Sequence, residues 1–161
     1  MLAADPATPG GPRRPSRRDG VGRCLMTAFI IESENRPGEI ARVSEAIAEK
    51  GINITTLGCI AWGERGALGL VTSDPDETRD AIDRAGMVYR EVETVEFHLP
   101  DRPGTLAEAS RKLASAGVNI EFLVPSGRSG GEVTLIAGVD NVPQAQQALG
   151  TAAVASGAVS A

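Results

Sequence analysis

The sequence contains itself twice. RPGEIARVSEAIAEKGINI at 36–54 aligns without a gap to RPGTLAEASRKLASAGVNI at 102–120, at a constant offset of 66. Nine of the nineteen positions are identical, among them Arg36/Arg102, Gly38/Gly104, Gly51/Gly117 and Asn53/Asn119. Unrelated segments of average composition share roughly one or two. The match continues more weakly from 66–82 into 131–149. A repeat of this length is too long for a helix-pair solenoid, so it marks one small domain used twice.

Each copy reads strand, helix, strand, strand, helix, strand. TAFIIES (27–33) is β-branched and aromatic, a strand pattern broken by Asn35-Arg36-Pro37-Gly38. Ile40, Val43, Ala46 and Ile47 then recur at helical spacing, with Pro37 suited to the first turn and Gly51 to the C-terminal cap. Strands are expected at 52–62 and 67–73, a helix from the Asp74 N-cap to Ala85, and a fourth strand at 87–93. The second copy follows with strands at 94–100, 118–124 and 132–138 and helices at 103–116 and 142–149. Its last strand, within Ala152–Val159, is weak because only small residues and two valines remain. The βαββαβ order predicts an α+β fold: two ferredoxin-like units in tandem, antiparallel sheets with helices on one face. The expected boundaries are a tail at 1–25, a first unit at 26–93 and a second at 94–161. About 66 residues bury a marginal core alone, so the halves are expected to pack on each other.

The tail carries Pro6, Pro9, Pro12, Pro15 and five arginines with almost nothing apolar, which predicts disorder. It reads as a solvated tail or as an extension upstream of a start at Met26; without an apolar stretch it is no secretory signal. The net charge of −5 gives no support for nucleic-acid binding, and no run is long enough to span a membrane. Two cysteines and one histidine offer no metal site, and no cofactor is expected. Cys59 reads as a small core residue and Trp62 as a surface-packed one. Reduced, scattered cysteines make the cytoplasm the expected compartment.

The chemistry concentrates in Ser33-Glu34-Asn35-Arg36-Pro37-Gly38 and its counterpart Leu99-Pro100-Asp101-Arg102-Pro103-Gly104. A glycine at the start of a helix lets a ligand approach backbone N–H groups that favour a carboxylate. The side-chain oxygen of Asn35 or Asp101 suits an ammonium group. Together these complement a free amino acid without reacting with it. The same residues also make a sound strand-to-helix turn that binds nothing. Asn53 and Asn119, each opening a strand, read either as ligand contacts or as turn residues.

N-R-P-G, a helix, and then G-[IV]-N-I resembles the signature of the ACT domain family over roughly 27–150. The loop is most similar to the His-x-Asn-Arg-Pro-Gly loop of the serine-sensing regulatory domain of phosphoglycerate dehydrogenase. It also resembles the regulatory domains of aspartokinase and the small subunit of acetolactate synthase. The resemblance implies amino-acid binding at interfaces between domains. It matches Asn35 and Asn53 to ligand-contacting asparagines in the first unit, and Asp101 and Asn119 in the second. The family's histidine falls on Ser33 and on Leu99, while His98 points to the other sheet face. The candidate ligand-binding residues are therefore Ser33, Asn35, Arg36, Pro37, Gly38, Glu39, Ile40 and Asn53, with Asp101, Gly104, Thr105, Leu106 and Asn119.

The expectation is a non-catalytic amino-acid sensor acting through ligand-dependent association of domains or subunits, with a homodimer and an enzyme of amino-acid metabolism as the partners. The alternatives are a ligand-free oligomerisation module or the regulatory subunit of a biosynthetic enzyme. An enzyme in its own right would rest on His98 alone, with no nucleophile motif near it.

Overall fold

The computed structural model describes residues 26–153, so the expectations for 1–25 and for a strand beyond 153 lie outside it. The elements are β1 (Thr27–Glu34), α1 (Glu39–Ala48), β2 (Ile54–Trp62), β3 (Arg65–Thr72), α2 (Pro75–Arg84) and β4 (Tyr89–Pro100), then α3 (Thr105–Ser115), β5 (Ile120–Ser129), β6 (Glu132–Val139) and α4 (Val142–Leu149), with a short 3₁₀ turn at Gly150–Ala152. The first copy folds as βαββαβ and the second as βαββα up to the end of the described residues.

The separate strands expected at 87–93 and 94–100 are one twelve-residue strand, β4. Its first half pairs antiparallel with β1 (Thr27↔Glu93, Ile31↔Tyr89) and its second half with β6 (Thr94↔Gly138, Pro100↔Glu132). No turn residue separates Glu93 from Thr94, so the two units share a continuous strand. The result is one six-stranded antiparallel sheet, order β2-β3-β1-β4-β6-β5. Of the last strand, the described residues hold a single bridge, Phe97↔Ala153.

Each unit has its own helix-facing core. Phe29, Ile31, Leu68 and Leu70 pack with Val43, Ile47 and Ile82 in the first; Val95, Phe97, Leu135 and Ala137 pack with Leu113, Ala145 and Leu149 in the second. A third cluster joins the units: Ala28, Val71, Val124 and Ile136, with Phe122 and Met26 against them. These residues lie on the sheet face away from the helices, so the helix-free faces of the two units close on each other. Glycines make the closeness possible. A Cβ on Gly58 would lie 2.8 Å from Val124 Cγ1, and one on Gly69 would overlap the Phe122 ring. The expected mutual packing of the halves thus takes the form of face-to-face contact beside a shared strand.

Two details depart from the sequence reading. Pro37 and Pro103 do not open their helices. Gly38 and Gly104 are the N-caps, at φ 97° and 94°, so each proline sits one residue before the cap. Cys59 is exposed rather than core, because it lies on edge strand β2.

Candidate functional site

Four helices start in two different ways. α2 and α4 begin with a side-chain cap: Asp74 Oδ1 accepts from the Glu77 amide at 3.0 Å, and Asn141 Oδ1 from that of Gln144 at 3.1 Å. α1 and α3, which follow the repeated loop, begin at a left-handed glycine with no side-chain cap. Their first amides are the unsatisfied donors that every helix start presents. In both copies the loop thus delivers uncapped N–H groups and the positive end of the helix dipole.

Around the first of these starts lies a hollow of about 330 Å³. Ser33 and Glu34 end β1 on one side, Arg36, Glu39 and Arg42 flank the helix start, Glu64 and Arg65 come from the β2–β3 turn, and Met87 and Val88 close the apolar side. Asn35 fixes the loop to that turn: its amide donates to the Glu64 carbonyl at 3.0 Å and its Nδ2 to the Gly63 carbonyl at 2.8 Å. This leaves Asn35 Oδ1 as an acceptor with no partner among the described residues. Glu39 is buried at 7% exposure and spans two guanidiniums, Arg36 Nε at 2.8 Å and Arg42 Nη2 at 2.9 Å. The hydrogen bond from Arg36, then that from Arg42, holds the Glu39 carboxyl below the usual carboxylate range. Arg36 also reaches Glu34 at 3.0 Å. Glu39 and Arg36 therefore brace the loop.

The second loop has the same backbone and other side chains. Thr105 replaces Glu39 and donates its hydroxyl to the carbonyls of Pro100 (2.9 Å) and Arg102 (3.0 Å). Asp101 pairs with Arg128 at 3.3 Å, and Leu99, in place of Ser33, is buried at 7% exposure. His98 points to the opposite face as expected, its Nδ1 2.8 Å from Thr134 Oγ1.

The structure brings together Ser33, Asn35, Arg36, Pro37, Gly38, Glu39 and Ile40, and likewise Asp101, Gly104, Thr105 and Leu106. It separates each group from its own unit's asparagine. Asn53 follows the C-terminal end of α1, so the helix's ten residues, about 15 Å of axis, lie between it and the loop. Asn119 stands in the same relation to α3. Both asparagines are exposed; their main chains pair with Ser73 and Asp140. Sequence reasoning missed Arg42, one turn along α1 from Glu39, and Glu64, Arg65, Met87 and Val88, which only the tertiary fold carries to the loop.

Residues 94–151 match the family model of the ACT domain. The second unit is an ACT domain. The first unit, outside that match, repeats the strand–helix order and the loop of the second. No curated protein matches the sequence. Solved structures similar to this pair of units include protein BT0572 from Bacteroides thetaiotaomicron (24% identity, TM-score 0.66, covering 79% of this chain and 88% of that one). Another is the regulatory subunit of aspartate kinase from Thermus thermophilus (22%, 0.60, 81% and 95%). Aspartate kinase from Clostridium acetobutylicum is similar over 77% of this chain and 32% of its own (11%, 0.57). At these identities the likeness establishes the fold.

Proposed function

We propose that this chain is a non-catalytic regulator that binds a free amino acid at the Ser33–Gly38 loop and responds through the association of its subunits. The carrying observation is the uncapped, glycine-started α1 beside an unspent Asn35 Oδ1: a carboxylate acceptor site and an ammonium acceptor within one loop. An ACT domain is a regulatory module, and the similar regulatory subunit of aspartate kinase supports a partner enzyme as the listener.

The separation of Asn53 from the loop has a solution in a second copy. β2 is an edge strand, and its stretch Leu57–Trp62 carries no charge, proline or register shift. Natural edges are blunted by such features. Ile60 and Trp62 on it are 64% and 56% exposed. Antiparallel pairing of β2 with the same strand of a second chain, centred on Gly58, sets Asn53 of the partner subunit opposite Gly63. Gly63 is the residue to which Asn35 is tied. Ligand bound there would touch both chains and so favour the dimer.

Thermal melts against each of the twenty amino acids test the reading. At a hundred times its dissociation constant a ligand stabilises by about 2.7 kcal/mol, a rise of about 5–10 °C for a chain of this size. The shift should vanish in Asn35→Ala. A flat response to all twenty would favour a ligand-free association module instead.

A further inference from the structure

We infer that the repeat is functionally divided: the Ser33–Gly38 loop takes the ligand, and the Leu99–Gly104 loop is a brace that takes none. This rests on the reading above and extends it to how many ligands a chain holds.

The two loops share their backbone to within a few degrees at the glycine, so the difference lies around it. Three observations separate them. The second loop's polar groups are spent inside the chain. Thr105 bonds two of the loop's own carbonyls, and Asp101, the counterpart of Asn35, already faces a guanidinium. An ammonium ion reaching Asp101 has to share its carboxylate with Arg128, whereas Asn35 Oδ1 has no partner among the described residues. Next, the serine that borders the hollow in the first unit is a buried leucine in the second.

The third observation concerns the edges. Asn119 is as far from its loop as Asn53 is, so a complete second site needs β5 to pair with a second copy. β5 is unsuited to that. Beyond the shift it shares with β2 (Ile120/Phe122, matching Ile54/Thr56), its register shifts again between Pro125 and Gly127. Pro125 has no N–H to donate, and its carbonyl already accepts from Thr56 Oγ1 at 3.1 Å. Arg128 stands where the first unit has Trp62, and Glu121 is held by Arg90. β2 invites a partner strand and β5 refuses one, so a two-chain site forms at the first loop alone.

Calorimetric titration of the full chain with the amino acid that shifts its melt tests this. One ligand per chain is expected, with affinity falling at least tenfold in Asn35→Ala and changing less than twofold in Asp101→Ala. Two ligands per chain, or a tenfold loss in Asp101→Ala, would overturn the division. Should no amino acid bind, the sensor reading falls, and amide exchange on the ligand-free protein still decides between the edges. Amides of 57–62 exchanging at least tenfold more slowly than those of 123–128, increasingly so with protein concentration, support the division. Equal, concentration-dependent protection of both edges refutes it.

Discussion

Gly69 should not tolerate even a methyl group. It lies in β3 with ordinary strand dihedrals, so backbone preference alone favours alanine there by roughly 0.5–1 kcal/mol. Packing opposes this. The new Cβ would lie 2.2 Å from Phe122 Cε2 and 2.5 Å from Cδ2, and the base of that side chain is itself held close, since a Cβ on Gly138 would lie 3.2 Å from Phe122 Cβ. Overpacking costs about 1–3 kcal/mol, and a 2.2 Å approach belongs at the upper end, so after the backbone gain a net loss of about 1–2 kcal/mol remains. For a chain of this size that lowers the melting temperature by about 3–6 °C. Gly127→Ala is the control: its nearest neighbour would be Thr134 Oγ1 at an ordinary 3.7 Å, so it should be neutral or gain up to about 1 kcal/mol. In a Phe122→Leu background the Gly69→Ala penalty should shrink by about 0.5 kcal/mol or more, the signature of a direct contact. Urea unfolding of the four proteins in the cycle measures all of this. Additive effects, or a Gly69→Ala protein as stable as the parent, would refute the claim that the two units close through this contact.

Gly38 sits at φ 97°, so Gly38→Ala should cost about 1–2 kcal/mol in unfolding free energy and weaken any amino-acid response at the loop. The chain's single tyrosine makes its phenol easy to follow: burial, then the nearby Asp83 carboxylate, pushes Tyr89 up to about 12. Absorbance at 295 nm should therefore show half-ionisation near that value in the native protein, and near 10 once unfolded. Because the folded pKa is the higher one, this group's stabilisation is intact below about pH 10 and drains away as pH rises towards 12. Glu39 has the opposite sign. Its stabilisation is present above the usual carboxylate range and lost as pH falls through its lowered value, so Glu39→Gln should flatten the acid limb of a stability–pH curve. Asp74→Ala removes the α2 cap and should cost about 1 kcal/mol in the same unfolding assay.

Local order was legible wherever one physical signal dominated. Asp74 as a cap and Val43 and Ile47 as the buried stripe of α1 follow from a residue's own geometry and are found, while Gly51 is left-handed two residues past the C-cap Glu49 and Ile40 is exposed. The repeat carried the architecture. What stayed illegible required knowledge of neighbours. Nothing between Glu93 and Thr94 says whether two strands meet end to end or run on as one. A cysteine in a β-branched run is core in a central strand and exposed in an edge strand, and strand order is a tertiary fact; hence the reversal at Cys59. The fixed φ of Pro37 suits a first helical turn, but the left-handed Gly38 that follows resets where the turn begins. The loop itself was readable, and the walls of its hollow were not. Met87 and Val88 lie some fifty residues further along the chain.

Duplication gave this chain two helix starts with the same uncapped amides, and those amides alone do not distinguish them. Nor does the Asp101–Arg128 pair by itself. Both side chains are largely exposed, and such a pair is worth at most about 1 kcal/mol, less than a well-placed zwitterion recovers by taking its place. The stronger discriminator is what each edge strand permits. Half of each candidate site lies at the wrong end of its own helix, about 15 Å away, so completing it is a matter of pairing strands rather than of adjusting side chains. A flat, uncharged run in β2 and a kinked β5 containing proline differ in whether a second chain can align at all. On this proposal the two copies share a fold and differ through changes several residues from the loop, and exchanging the sequences of 57–62 and 123–128 should move the proposed dimer contact from one unit to the other.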